Sequence, residues 1–332
     1  MIDNKGVMIF VELIDGKLAP ITRELLGVGR KLTNDLGEEL SALAVGSGVL
    51  NSAAGGVTVV TDKVYIVDDP LLKDYRTEPY VSVVEKVCEI AHPRILLMGH
   101  TTIGRDLAPR LSFRLGTAVT TDCIALDIDD MNKQLLMTKP IYGGNALAVF
   151  TMETFPQMAT IRAKAMTALA VDSSGKGEII NITAGLDSTA IRTTVLQKVV
   201  QEMEGPKLED ASIIVTGGRG IGGAEGFKQL EELAKLLKGA VGASRPPCDN
   251  GWVNDTIQIG LTGKIVAPDV YIAVAVSGTS QHLAGCSEAR NIIAINRDPE
   301  ANIFKEARFG VVGDWKKVIP GFEAKVKEIT GK

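Results

Sequence analysis

Aromatic side chains are scarce in this 332-residue chain, with eight Phe, five Tyr and two Trp making up 5% of it. Its core must therefore be assembled from Val, Ile, Leu and Ala, residues that favour buried parallel strands covered by helices. Cysteine is scarce as well. Cys88, Cys123, Cys248 and Cys286 lie far apart with no CxxC pair, which excludes the ligand spacing of a zinc site or an iron–sulfur cluster and leaves reduced, mostly packed thiols. Neither charge dominates: the 36 basic and 40 acidic residues are interspersed for a net charge of -4, and no basic stripe of the kind a phosphate backbone requires is present. Nucleic acid is not an expected partner. Long hydrophobic runs are missing, since no stretch approaches the roughly 20 apolar residues that span a bilayer. No basic segment followed by an apolar run opens the chain. The expectation is a cytoplasmic protein without membrane insertion.

What is present is the balance of a soluble globular protein, 45% hydrophobic and 23% charged, at a length that suits two domains. The N-terminal half alternates short apolar runs (GVMIFVEL, ELSALAVGSG, KVYIVDD, RILLMGH) with helical patterns (LAPITRELLGVGRKLTNDL, TEPYVSVVEKVCEIA, TTIGRDLAPRLSFRLG). That alternation predicts βα units on a parallel sheet. Arg105, Arg110 and Arg114 recur at helical spacing and read as a solvated face. From Thr117 to Arg162 the pattern changes to short extended runs broken by Asp, Asn, Gly and Pro, expected to widen or edge the first sheet. VDSSGKGEI reads as a loop. MEGPKLEDA reads as a charged connector, and the expected domains are 1–205 and 206–332. Beyond the connector the βα rhythm restarts with ASIIVTG, AEGFKQLEELAKLLK, AVGAS, KIVAPDVYIAVAVSG and NIIAIN. The fold class is α/β, with two domains, each on a mostly parallel sheet with flanking helices, the second doubly wound.

The strongest local signal is IIVTGGRGIGG, in which Gly218, Gly220 and Gly223 satisfy G-x-G-x-x-G between an apolar strand and a helical pattern. Glycines there let backbone N–H groups and a helix N-terminus approach a pyrophosphate. Taken alone, the loop also fits a mere strand-to-helix turn, a non-redox nucleotide module, or an NAD(P)-dependent oxidoreductase. The last wants an acid at the end of the next strand, but that strand ends in Gly242, Ala243, Ser244 and Arg245. Nor does any tyrosine have a lysine four residues on, as a short-chain dehydrogenase would. Three other strand-end segments, VGASR, GLTGK and SGTSQHLAG, face the same crevice in an open parallel sheet. The hydroxyls of Ser244, Thr262 and Ser277 suit phosphate and sugar, and Arg245, Gln281 and His282 suit the polar edge of a heteroaromatic ring. A cation beside the N1–C2=O edge of a flavin stabilises the anionic reduced form. Arg245 and His282 are expected in that role, whereas His92 and His100 are assigned no chemistry.

The blocks GGRGIGG, GASRPPCDNGWV, GLTGKIVAPDVYIAVAVSGTSQHLAG, IIAINRDPEANIF and FGVVGDW resemble, in order and spacing from Arg219 to Asp314, the C-terminal FAD domain of electron-transfer flavoprotein alpha subunits. IGRDLAPRLSFRLG and GGNALAVF resemble the family's N-terminal half more loosely. The resemblance implies one bound FAD contacted by Arg219, Ser244, Arg245, Ile259, Gly260, Leu261, Thr262, Ser277, Gly278, Thr279, Ser280, Gln281, His282, Asn296 and Asp314. It implies Thr262 facing the flavin N5 region, Arg245 beside the ring, His282 on the C2 carbonyl side, and Asn296 and Asp314 at the adenosine end. Two departures stand out: Leu261 replaces a usual Gln, and Thr279–Ser280 replace Ala and Ile. The implied partners are a beta subunit in a heterodimer formed by the first domain, an acyl-CoA dehydrogenase-type flavoenzyme and, in bifurcating relatives, ferredoxin. TEPY and IGRDLAPR look like those relatives. The implied chemistry is electron passage through the flavin, with no general acid, nucleophile or metal.

Overall fold

The computed structural model describes residues 4–14, 16–49, 57–58, 60–144, 146–169, 177–197 and 205–330. Most of the loop read in VDSSGKGEI, and Met203 and Glu204 of the connector, lie outside the described residues. The chain divides into two compact units, one of Met1–Ile141 with Leu147–Lys198 and one of Tyr142–Ala146 with Val199–Lys332.

The first unit is built on β1 (Val7–Val11), β4 (Leu40–Gly46), β5 (Lys63–Asp68), β6 (Ile95–Gly99), β7 (Val119–Cys123), β11 (Gln157–Ile161) and β12 (Glu178–Asn181), with a small ribbon of β2 (Leu13–Ile14) and β3 (Lys17–Leu18). The seven long strands lie in the order β12-β5-β4-β1-β6-β11-β7, each recorded pairing parallel. Every residue of β1 is buried, because helices cover both faces of a parallel sheet. Val7, Ile9 and Val11 pack with Leu25, Leu26 and Leu32 of the helix Pro20–Leu36. Met8 and Phe10 point the other way, toward Val83, Val84 and Val87 of the helix Thr77–Ala91 and Leu107 and Leu111 of the helix Thr102–Arg114. Each such side chain taken from water contributes about 1.5–3 kcal/mol. Arg110 and Arg114 pair with Asp106 and Glu85 on the outer surface, in keeping with an ordinary solvated face.

The stretch from Thr117 to Arg162 meets the expectation in part: β7 edges the first sheet and β11 widens it between β6 and β7, while β8 (Ala125–Ile128), β9 (Leu135–Ile141) and β10 (Ala146–Phe150) leave it to form a separate three-stranded sheet in which β8 and β9 are antiparallel. Period and composition announce strands there but say nothing of which neighbour each will pair with. On β10, Leu147 and Val149 are 62% and 60% exposed, which leaves an apolar edge strand in water.

The second unit carries β13 (Ile213–Gly217), β14 (Ala240–Ala243), β15 (Val270–Val274), β16 (Ile292–Asn296) and β17 (Phe309–Val312), in the order β14-β13-β15-β16-β17 and parallel throughout. The helix Ala224–Leu236 and a long C-terminal helix, Trp315–Thr330, pack Phe227, Leu230, Trp315 and Ile319 against Val215, Ile272 and Val274. Leu208 and Ala211, in the segment read as connector, are buried in the opposite core cluster of this unit.

Where the strand order of the first sheet reverses, between β1 and β6, Glu12 is buried. Its carboxylate accepts the Thr101 hydroxyl at 2.8 Å, and the same hydroxyl oxygen accepts the Gly104 N–H, capping the helix Thr102–Arg114. Burial pushes the Glu12 carboxyl up to about 7, against the opposing effect of the Thr101 bond. The folded chain thus holds this proton more tightly than the unfolded chain, so the stabilisation is complete below the ordinary value near 4.5 and lost as pH rises through 7. Glu12→Gln, which cannot ionise, is expected to be more stable than the parent by about 2–3 kcal/mol at pH 8 and no more stable at pH 4.5, as read by urea unfolding.

Candidate functional site

Because the five strands of the second sheet are parallel, the loops leaving their carboxyl ends all open on one edge, and the order reverses between β13 and β15. That reversal is where doubly wound sheets present a crevice. The loops are tied together at their bases: Gly218 N–H donates to Val274 O at 2.9 Å, Ser244 N–H to Gly217 O at 3.0 Å, Ala275 N–H to Ile295 O at 2.7 Å and Gly313 N–H to Asn296 O at 2.9 Å. The glycine turn approaches the next loop too closely for any side chain, since a Cβ on Gly218 would stand 2.1 Å from Ala275 O. After the turn, the helix Ala224–Leu236 opens on Gly223, which has no side chain to cap it; Gly226 N–H turns back to Gly223 O at 3.2 Å, and no side chain competes with an anion at the helix start. Trp315 Nε1 donates to Gly220 O at 3.2 Å and anchors the turn from the C-terminal helix.

The residues singled out from the sequence fall into two groups along this edge. Asn296 and Asp314 line a cleft of about 260 Å³ together with Gly220, Gly222, Arg297 and Lys316. Asn296 is also structural: its Nδ2 donates to Val276 O at 2.8 Å and its Oδ1 accepts Asp298 N–H at 3.1 Å, stitching the β15 and β16 loops. Asp314 Oδ1 accepts the Lys316 N–H at 3.0 Å at the start of the last helix. In the second group three segments are zipped by backbone bonds: Ile259 N–H to Ala243 O at 2.8 Å and Leu261 N–H to Gln281 O at 2.7 Å, with Ser244 and Arg245 directly following Ala243. Arg245, Leu261, Thr262, Thr279, Ser280 and Gln281 all turn exposed side chains outward, while Ser244, Ile259, Gly260 and His282 are buried. Arg219 and Ser277 stand exposed on the loops after β13 and β15, and Gly278 (φ 74) packs against the Ile303 backbone, with a Cβ there only 2.3 Å from Ile303 N.

One side chain behaves differently from the sequence expectation. His282 is not a cation at the ring edge. It is 5% exposed, its Nε2 lies 2.9 Å from the Tyr271 hydroxyl and its Nδ1 3.1 Å from Ile259 O, and burial pulls its titration down to about 4 despite the Ile259 bond. An imidazole enclosed in this way stays neutral at physiological pH. The mobile positive charge is that of Arg245, whose pair with Asp249 at 3.2 Å is exposed on both sides and worth little, leaving the guanidinium able to turn to a ligand. Gln258, which sequence reasoning passed over, donates from Nε2 to Thr262 Oγ1 at 2.9 Å, so the threonine's own hydrogen points elsewhere. Its spacing of four from Thr262 was the available signal. The side-chain amide that Leu261 lacks is thus present three residues earlier.

A doubly wound sheet with a glycine turn, a helix start without a side-chain cap, a cleft and a polar rim at its switch point is the arrangement of a dinucleotide-cofactor-binding protein. The donor set fits FAD: amides for a pyrophosphate, Asn296 and Asp314 in a cleft for an adenosine, and Arg245 and Thr262 for a flavin ring. Residues 7–187 match the Electron transfer flavoprotein domain and residues 207–287 the Electron transfer flavoprotein FAD-binding domain. The chain is 43% identical over 330 residues to the electron transfer flavoprotein subunit alpha of Thermoanaerobacterium thermosaccharolyticum, covering 99% of this chain and 100% of that one. It is 40% identical to the subunit alpha of Megasphaera elsdenii (99% and 98% covered) and 38% identical to Protein FixB of Azotobacter vinelandii (99% and 93% covered). The chain belongs to the electron-transfer flavoprotein alpha-subunit family; its cofactor is FAD and its role is electron transfer.

Gly218→Ala is expected to push the glycine turn off the β15 loop at a cost of about 2–3 kcal/mol and to yield protein with reduced FAD content, measured by absorbance after purification. For His282 the folded value lies below the ordinary 6.5, so its contribution is complete above pH 6.5 and lost as pH falls through 4. Urea unfolding should therefore show a loss of about 3 kcal/mol between pH 7 and pH 4 that is absent from His282→Gln.

Proposed function

We propose that this chain is the alpha half of a cytoplasmic heterodimer with a beta subunit, and that it carries electrons between an acyl-CoA dehydrogenase-type flavoenzyme and a second redox protein. The observation that carries this reading is the zipped arrangement of Ala243–Arg245, Ile259–Thr262 and Gln281–His282, which sets Arg245, Thr262 and Gln281 outward on the same edge as the glycine turn. When bound, FAD supplies reversible one- and two-electron chemistry. The helix start after Gly223, with Arg219 and Ser244, would hold the pyrophosphate, Asn296 and Asp314 would hold the adenosine, and Thr262 would offer its hydroxyl hydrogen to the ring. Arg245, only lightly held by Asp249, would supply a positive charge beside it. His282 keeps the ring-facing loop in place as a neutral group.

The exposed apolar strand β10 supports assignment of the beta-subunit contact to the first domain, because such an edge pairs readily with another chain. TEPY and IGRDLAPR support the bifurcating form, in which the beta subunit holds a second FAD and ferredoxin is a further acceptor. Co-expression with the beta chain is expected to give a yellow heterodimer with two FAD per pair; one FAD marks the non-bifurcating carrier, and a colourless protein overturns the electron-carrier role. Arg245→Ala is expected to lower the flavin midpoint potential in a reductive titration by the equivalent of about 1.5–3 kcal/mol, as one charge-assisted bond to the reduced ring is lost.

A further inference from the structure

Tyr271 lies within β15, is fully buried, and occupies a position where its strand neighbours Ile272, Ala273 and Val274 are apolar. A phenylalanine would fill the same space, and a phenol hydroxyl shut away from water costs about 1–3 kcal/mol unless it is bonded. The hydroxyl is bonded to His282 Nε2 at 2.9 Å, and the Thr216 hydroxyl and the Cys286 thiol also reach it. The direction of that bond follows from its other end. Ile259 O is a carbonyl and only accepts, so the imidazole proton sits on Nδ1; Nε2 is then a bare acceptor, and the Tyr271 O–H must be the donor. The chain Tyr271 O–H to Nε2, and Nδ1–H to Ile259 O, therefore runs one way and is neutral throughout.

Its far end is the loop that bears Thr262. Ile259 is held from the other side through its N–H to Ala243 O, Leu261 N–H is tied to Gln281 O, and Gly260 N–H donates to Lys264 O at 3.1 Å. Nothing separates the loop from the turn that carries His282, because a Cβ on Gly285 would stand 2.4 Å from Gly260 N. Resting on the flavin assignment made above, we propose that Tyr271 is a positioning residue for electron transfer: by donating to Nε2 it holds the His282 ring in the orientation whose Nδ1–H secures Ile259–Thr262, and so sets where the Thr262 hydroxyl meets the FAD. Strand β15, part of the rigid sheet, is thereby coupled to the one loop that has to be placed to a fraction of an ångström.

The test uses Tyr271→Phe in the heterodimer co-purified with its beta subunit, and ¹⁵N spectra of the histidine rings in the full chain. The wild-type His282 ring should be Nδ1-protonated from pH 5 to pH 8, with Nε2 at the shift of a hydrogen-bonded acceptor. In Tyr271→Phe, Nε2 should move to the position of a free acceptor, the FAD dissociation constant should rise about tenfold, the factor for the 1.4 kcal/mol of one buried hydrogen bond, and the midpoint potential should shift. The double variant with His282→Gln should be no worse than His282→Gln alone, because both act along one path. An Nε2-protonated ring in the wild type, an unchanged affinity and potential in Tyr271→Phe, or a double variant equal to the sum of the singles would each overturn the proposal. Should Tyr271→Phe fail to fold, the wild-type Nε2 shift decides, because the position of a free acceptor there would mean that Tyr271 does not hold the ring. A wild-type chain that binds no FAD would instead sink the flavin assignment, with the Nε2 shift then deciding the Tyr271–His282 clamp by itself.

Discussion

Parallel pairing in the second sheet is the constraint from which the site follows. With all five strands running the same way, every loop that leaves a carboxyl end is delivered to one edge, and the reversal of order between β13 and β15 opens a gap there. The Gly218 approach to Ala275 narrows that gap to backbone dimensions on one side, and Trp315 braces the turn from the other. Residues as distant in sequence as Arg219 and Asp314 therefore line one edge without any direct bond between them.

The rim that results is divided between fixed and movable groups. Asn296, His282 and Ser244 are buried; Asn296 ties its own loop to Val276 and His282 ties its turn to Ile259 and to Tyr271 of β15, so both hold backbone in register. Arg245, Thr262 and Gln281 are exposed and only lightly held, so they are free to answer a ligand. Of the two groups expected to carry positive charge on this rim, Arg245 is exposed and cannot lose its proton, whereas burial holds His282 neutral.

Much of this was legible in the residues. The helices Thr77–Ala91 and Ala224–Leu236 and the strands β1, β6, β13 and β15 stand where periodicity and apolar runs put them, because a strand buried on both faces leaves no polar interruption to obscure it. The pairing of β8 to β11 was not legible, since short alternating runs record which faces are buried but not which neighbour supplies the ladder. Thr262, Arg245 and Gln281 were visible as strand-end polar groups. The neutrality of His282 was not, because it depends on Tyr271 and Ile259 closing around it, and neither contact leaves a trace in local sequence. Gln258 was overlooked for the opposite reason: its significance comes only from the hydroxyl it happens to reach.

The apolar edge of β10 bears on how the molecule must be made. A strand that shows Leu147 and Val149 to water offers its unpaired amides and carbonyls to any extended segment it meets, including a second copy of itself. Synthesis of the chain with that edge left uncapped would favour deposits over function, so the surface of the protein itself sets a condition on how it can be produced.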